Sequence, residues 1–270
     1  MNWSMPEGHT IHRLARDQRK VLEGRPLQAS SPQGRFAEGA RLIDGKVLSR
    51  INPYGKHLFY AFDGLAEQLH VHLGLYGKFT TGTVPAPAPR GALRLRLASE
   101  DVWTDLRGPT ACELLTPAEV RTVLDRLGPD PLRPRADLEP AWERISRSRV
   151  AIGGLLMDQS VIAGIGNVYR AELLFRAGIS PFRPGRDITR AEWEGLWVDL
   201  QVCMRAGVRA GRIVTTRPED RSRRTGRVTR EESFYVYRRA DLPCRLCGSP
   251  VRTEVMVGRN LYWCPVDQSR

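Results

Sequence analysis

The sequence predicts an α+β, multidomain chain. An N-terminal antiparallel β-sandwich with flanking helices covers residues 5–130, a helical domain covers 131–233, and a small C-terminal β-hairpin module covers 234–270. Three observations predict it. Apolar residues recur with period two in "KHLFYAFDG" and "ALRLRLAS". The period turns helical after the proline-dense "LGPDPLRPRADLEP". Three of the five cysteines, Cys244, Cys247 and Cys264, gather near the C-terminus.

Taken in order, "TIHRLARDQRKVLE" (10–23) places Ile11, Leu14, Ala15, Val21 and Leu22 at helical spacing, with Gly24 as a stop. In the next segment Leu58, Tyr60 and Phe62 alternate with other residues, and Asp63-Gly64 is a hairpin-turn signal. Leu93, Leu95 and Leu97 share one strand face, and "VPAPAPRG" before them reads as a loop between strands. Residues 25–115 thus form an antiparallel unit of sandwich type. Residues 127–140 have the proline content of a linker. Beyond it, "VAIGGLLMDQS", "VYRAELLFRAG" and "RAEWEGLWVDLQVCMRAG" are helix candidates, with Gly178 and Gly207 where C-terminal caps belong. The last thirty residues read as short strands around the cysteines.

A chain of 270 residues can hold two ordinary cores, and its 41% hydrophobic and 27% charged content is that of a soluble globular protein. There is no apolar run of about 18 residues and no basic-then-apolar leader, so the cytoplasm is the expected location and no membrane partner is expected. The net charge of +12 points to an acidic partner, with nucleic acid the leading candidate. Only four of the 42 basic residues are lysine, a skew that a GC-rich genome explains without function. That bias does not explain 42 bases against 30 acids. Residues 201–239 are especially basic, with 11 arginines against four acids. An odd cysteine count in such a chain argues against a disulfide framework and suggests metal.

The stretch "MDQSVIAGIGNVYRAELLF" (157–175) carries chemistry of its own. Two helices are joined by "AGIGN", whose glycines allow a tight turn with positive φ and whose Asn167 can cap the second helix. N–H groups exposed at that helix start suit a phosphate. A glycine-rich turn alone is more often a packing motif than a DNA grip.

"MPEG", "YGKHLFY", "LHVHLGLYG", "MDQSVIAGIGNVYRAELLFRAGI" and "YVYRRADLPCRLCG…GRNLYWCP" occur in this order. Together they resemble the formamidopyrimidine-DNA glycosylase / endonuclease VIII family of DNA repair enzymes, over residues 5–270. The resemblance implies a bifunctional DNA glycosylase and abasic-site lyase of base excision repair. It would act as a monomer on damaged DNA held in a basic cleft, through a helix–two-turn–helix domain and a C-terminal zinc-finger-like module. The implied nucleophile is an N-terminal proline, here Pro6. A free α-amine has a pKa of about 7.7–8.0 against about 10.4 for lysine, so much of it is the neutral nucleophile near pH 7. Its adduct with deoxyribose C1′ is an iminium cation, an electron sink for loss of the 3′ and then the 5′ phosphate.

That chemistry needs a free Pro6 nitrogen, so translation is expected to start at Met5 with the methionine then removed. A retained "MNWS" would leave Pro6 an amide and the protein a non-catalytic binder of damaged DNA. By resemblance, Glu7 is the proton donor to the opening sugar, although a helix-start carboxylate is also common for the dipole alone. Lys56 contacts phosphate and donates a proton during β-elimination, or is an ordinary turn lysine. Leu75 and Tyr76 of "GLYG" are the wedge that fills the gap left by a flipped nucleotide, or else core residues of the sandwich.

Arg107 lies where the purine-directed branch carries a second arginine and a phenylalanine, both missing here, and Arg126 matches a DNA-contacting arginine of the endonuclease VIII branch. With "PEG" and "LYG", these lean toward that branch and toward oxidised pyrimidines, the purine-directed activity being the alternative. A second glutamate often follows in the family, whereas here Gly8-His9-Thr10 follows Glu7. The finger spacing Cys244-x2-Cys247-x16-Cys264-x2 ends in Asp267 where a fourth cysteine belongs, so structural Zn2+ would be held by three thiolates and a carboxylate. Arg259, at the expected hairpin tip, is implied to contact phosphate and to assist δ-elimination.

Overall fold

Residues 6–269 are described by the computed structural model, and their contacts divide between Arg126 and Leu127 into two compact units. The residues before Pro6, and with them the question of the start at Met5, lie outside the described residues.

The first unit opens with α1 (Gly8–Leu22), which buries Ile11, Ala15 and Leu22 on one stripe. Gln18 is buried on the same helix and accepts a hydrogen bond from the Tyr60 hydroxyl at 2.7 Å, which offsets the cost of burying that hydroxyl and the Gln18 side-chain oxygen. Gly24, at φ +77°, turns the chain into β1 (Gln28–Ser30). A short helix follows, α2 (Ala37–Ile43), which the sequence pattern did not reveal. Then come β2 (Leu48–Tyr54), β3 (His57–Phe62), β4 (Gln68–His72), β5 (Lys78–Thr83), β6 (Leu93–Ala98), β7 (Val102–Arg107) and β8 (Ala111–Leu115).

They form two four-stranded antiparallel sheets, ordered β2-β3-β4-β8 and β1-β6-β7-β5. Leu93, Leu95 and Leu97 of β6 are buried as the alternation predicts. In β3 the alternation is blurred because Phe59 is buried as well as Leu58 and Tyr60, so this strand is covered on both faces. Side chains of both sheets share one core with α1. The unit closes with α3 (Pro117–Asp125), started by a reciprocal capping box between Thr116 and Glu119.

The second unit begins with the proline-dense segment, and here the structure corrects the linker reading. Gly128 N–H bonds the Gln159 carbonyl at 2.9 Å, Pro129 carbonyl accepts from Ala163 N–H at 3.0 Å, and Pro131 carbonyl accepts from the Gln201 amide at 3.1 Å. Prolines lack donors but keep their carbonyls, so the segment is tied down through acceptors. Next are α4 (Glu139–Ile145), α5 (Ile152–Leu155), α6 (Asn167–Arg176) and α7 (Arg190–Ala210), then the hairpin of β9 (Arg252–Met256) and β10 (Arg259–Trp263). Trp193, Trp197 and Leu200 of α7 pack with Tyr169 and Leu174 of α6 in the core of this unit.

Two further helix readings are corrected. The first candidate shrinks to the four residues of α5 because Gly153-Gly154 supports helix poorly and the chain then winds around Gln159. The Gln159 side chain accepts from Gly164 N–H and donates to the Ile165 carbonyl, both at 3.0 Å. Gly178 does take the left-handed conformation after α6, at φ +66°. Gly207, however, is buried inside α7, and the left-handed cap is Gly211 at φ +73°.

Candidate active site and metal centre

Glu7 is fully buried at the start of α1, where its carbonyl accepts from Thr10 and Ile11 N–H at 2.9 and 3.4 Å. Its carboxylate makes no capping bond to the helix. Pro6 immediately precedes Glu7, half-buried.

Lys56 sits in the tight turn between β2 and β3, after Gly55 at φ +54°. Leu75 and Tyr76 project from the loop between β4 and β5, 39% and 68% exposed, which excludes the core reading. That loop is closely packed, against the Thr110 side chain at Gly74 and against its own backbone at Gly77. A Cβ on Gly74 would lie 1.9 Å from Thr110 Oγ1, and one on Gly77 would lie 2.2 Å from the Leu73 carbonyl oxygen. Only glycine permits such approach, so the loop holds its two large side chains outward without burying either.

Arg107 ends β7 and is committed to structure. It donates to Asp105 Oδ2 at 2.9 Å, while Arg96 donates to both oxygens of the same buried carboxylate at 2.6 and 2.9 Å. Burial would raise the Asp105 carboxyl, but the two arginines hold it below the usual range. Arg126 follows α3 and donates to the Thr122 carbonyl at 3.0 Å.

The structure overturns the capping role of Asn167. Gly166 is the N-cap of α6, and Asn167 turns its side chain to the finger hairpin. Its amide donates to the Asn260 carbonyl at 2.9 Å, and its Oδ1 accepts from Arg170, whose other guanidinium nitrogen reaches the Met256 carbonyl at 3.2 Å. The first turn of α6 therefore grips both arms of the hairpin, on either side of its Val257-Gly258 turn, where both residues have positive φ. Arg259 is the first residue after that turn and is exposed. Asn167 and Arg259 are thus brought together through adjacent backbone.

The sequence reading missed two groups. The first is Glu172 of α6, a fully buried carboxylate that accepts from three successive N–H groups, Tyr235, Val236 and Tyr237, at 2.7–2.8 Å, and from the Thr215 hydroxyl. Burial pushes its carboxyl up, and the four donors pull against that rise. No local pattern announces it, since the donors lie 43–65 residues away.

The second is a stack of imidazoles. His57 Nδ1 lies 2.8 Å from His70 Nε2, and His70 Nδ1 lies 3.0 Å from Glu113 Oε1. The His57 ring centroid is 4.8 Å from that of His72. The signal was available: His-x-His in a strand puts both rings on one face, and the register sets His57 opposite His72.

The ligand atoms of Cys244, Cys247, Cys264 and Asp267 all lie within 4.8 Å of one another. Cys244 Sγ is 3.0 Å from Asp267 Oδ2 and Cys247 Sγ is 3.4 Å from Cys264 Sγ. Tetrahedral zinc with bonds of about 2.3 Å sets sulfurs about 3.8 Å apart, so these positions fit a metal of that kind. Leu246 and Asp267 N–H point at Cys244 and Cys264 sulfurs, at 3.5 and 3.4 Å, as thiolates require. Burial raises the Cys244 and Cys264 thiols, so their ionisation calls for a compensating cation. Tyr262 packs edge-on against Tyr237 and Trp263 against Phe182, which fixes the hairpin to the unit.

Known proteins share this architecture. Residues 5–112 match the family model described as formamidopyrimidine-DNA glycosylase N-terminal domain, residues 127–218 match its H2TH domain, and residues 241–270 match the zinc finger found in FPG and IleRS. The chain is 51% identical to Endonuclease 8 1 of Mycobacterium tuberculosis over 269 residues, 98% of this chain and 100% of that one. It is 31% identical to Endonuclease 8 of Escherichia coli over 271 residues, 97% and 98% of the two chains. The crystal structure of the MutM (Fpg) protein from Thermus thermophilus superposes with a TM-score of 0.78 at 28% identity, covering 98% of this chain and 99% of that one. With five ordered motifs, two antiparallel sheets, the helix–two-turn–helix and the cysteine finger accounted for, the chain belongs to the formamidopyrimidine-DNA glycosylase / endonuclease VIII family.

Proposed function

We propose that this DNA glycosylase of base excision repair excises oxidised pyrimidines and cleaves the resulting abasic site, through a Schiff base on the nitrogen of Pro6. Pro6 would be freed by a start at Met5 and removal of that methionine. Its nitrogen attacks C1′, the base departs, and Glu7 protonates the opening sugar. The iminium then draws electrons as the C2′ proton leaves and the 3′ phosphate departs, followed by the 5′ phosphate. Lys56 and Arg259 hold phosphate, and Arg126 and Asn167 extend the DNA contacts. Arg107 is already engaged with Asp105, so its contribution to DNA would be positional.

The observation that carries the lesion class is the exposed Leu75-Tyr76 loop, aromatic and rigidly held, beside an Arg107 motif without a second arginine. The 51% identity to a protein named Endonuclease 8 1 supports the same branch. Excision assays on duplexes with single lesions test it. Thymine glycol or dihydrouracil is expected to be released faster than 8-oxoguanine opposite cytosine, and the reverse order assigns the purine-directed activity instead. No described helix is long and apolar enough to cross a membrane.

In the finger, zinc would be held by Cys244, Cys247, Cys264 and Asp267, and would order the hairpin that presents Arg259. A carboxylate binds borderline-soft zinc less strongly than a thiolate, so Asp267→Cys is expected to make the metal harder to strip. Chelation should lower DNA affinity and strand cleavage together. Elemental analysis of protein purified without chelator checks this. A zinc content near zero with full activity would show that packing alone holds the finger.

A further inference from the structure

The histidine stack carries an inference that rests on the DNA reading above. Glu113, as a carboxylate, only accepts hydrogen bonds, so the hydrogen between it and His70 belongs to His70 Nδ1. A neutral His70 then has a bare Nε2. The 2.8 Å contact to His57 Nδ1 requires one hydrogen, which must lie on His57. His57 Nε2 is left as a bare acceptor. Glu113, on a third strand, thereby sets the tautomer of a residue two strands away.

The charges around this chain are arranged by end. Glu113 lies at one end. Lys56, in the turn just before His57, lies at the other, and its charge and that of Arg126 bear on His57. Burial first, and then the neighbouring His72 and His70 rings, Lys56 and Arg126, hold His57 at about 3. Burial also lowers His70 and His72, with Glu113 pulling His70 back up. The free protein near pH 7 therefore keeps the stack neutral.

We propose that Glu113, His70 and His57 form a proton-binding relay that takes up one proton when a DNA phosphate occupies the cationic end marked by Lys56 and Arg126. The proton from solvent bonds to His57 Nε2. The hydrogen on His57 Nδ1 passes to His70 Nε2, and the imidazolium so formed on His70 lies against the Glu113 carboxylate. One N–H bond is gained overall, and nothing is oxidised. The added charge ends beside a carboxylate and away from Lys56 and Arg126, while the phosphate compensates the cations at the other end. The sign follows from linkage. A bound anion raises the proton affinity of the stack, so binding takes up a proton between the free and bound pKa values, and affinity falls as pH rises through the bound one.

Calorimetry in buffers of different ionisation enthalpy measures this directly, with a short duplex carrying a tetrahydrofuran abasic analogue. Between about pH 6 and pH 7.5 the wild type is expected to take up a proton, and Kd to weaken by as much as about tenfold per pH unit. Glu113→Gln removes the carboxylate from a half-exposed side chain and should cut the uptake by more than half while the duplex still binds. His57→Phe keeps a ring in the stack and should do the same. Binding with uptake below about 0.2 proton throughout, or with uptake unchanged in both variants, overturns the relay. Failure to bind the duplex at all overturns the DNA reading, and the coupling falls with it.

Discussion

Protein that begins at Pro6 is expected to be trapped on abasic-site DNA by borohydride, and protein that retains "MNWS" is expected not to be. A secondary amine at the terminus can form the iminium that borohydride reduces, whereas the same nitrogen inside a peptide bond has no available lone pair. Pro6→Gly should lose trapping by about a hundredfold or more, the scale on which a catalytic group acts. Lys56→Ala should retain part of it, because Lys56 acts on phosphate and a later proton rather than on C1′. Intact-mass analysis of the native protein reports the first residue independently. Efficient trapping by protein that still carries "MNWS" would remove Pro6 from the role of nucleophile.

The largest effect on stability is expected at Glu172. Its carboxylate receives three consecutive backbone N–H groups and one hydroxyl, all buried. Glu172→Ala leaves these donors without an acceptor in a core that includes Tyr235 and Val236, at a cost of about 3–5 kcal/mol. For a chain of this size that corresponds to a fall in Tm of roughly 10 °C. Glu172→Gln should lie between, since its carbonyl oxygen can serve two donors while its amide opposes the others. The segment that leads into the finger starts at these N–H groups, so strand cleavage should fall with stability. A Tm within about 2 °C of wild type in Glu172→Ala would mean that water replaces the carboxylate.

Much of the fold was legible along the chain. Period-two leucines in β6, the helical stripe of α1 and the turn glycines at 24, 64 and 178 all behave as their local patterns say. The capping boxes at Thr116 and Thr189 are written as Thr-x-x-Glu in the sequence, although the helix limits were not taken from them. Gly207 misled because a glycine near the end of a helix has two physical uses, a left-handed cap or a small buried contact, and only packing distinguishes them. Asn167 misled for a related reason. An Asn at a helix start is a good cap, but here Gly166 takes that place and the Asn side chain is claimed by Arg170 and the hairpin backbone.

The sequence by itself determined the fold class, the family, and the group of Cys244, Cys247, Cys264 and Asp267 that could hold a metal. Those rest on periodicities of two and about 3.6 residues and on short spacings, which local backbone geometry converts directly into structure. Tertiary structure alone decided that Leu75 and Tyr76 face outward, that Asn167 and Arg170 clamp the finger hairpin, and that Glu172 anchors the segment 63–65 residues beyond it. It also decided the proton positions on His57 and His70, through a carboxylate on another strand. The reason is the same in each case. A hydrogen bond between groups distant in sequence is set by strand register and by the packing of whole elements, and neither is encoded within the few residues that a local pattern spans.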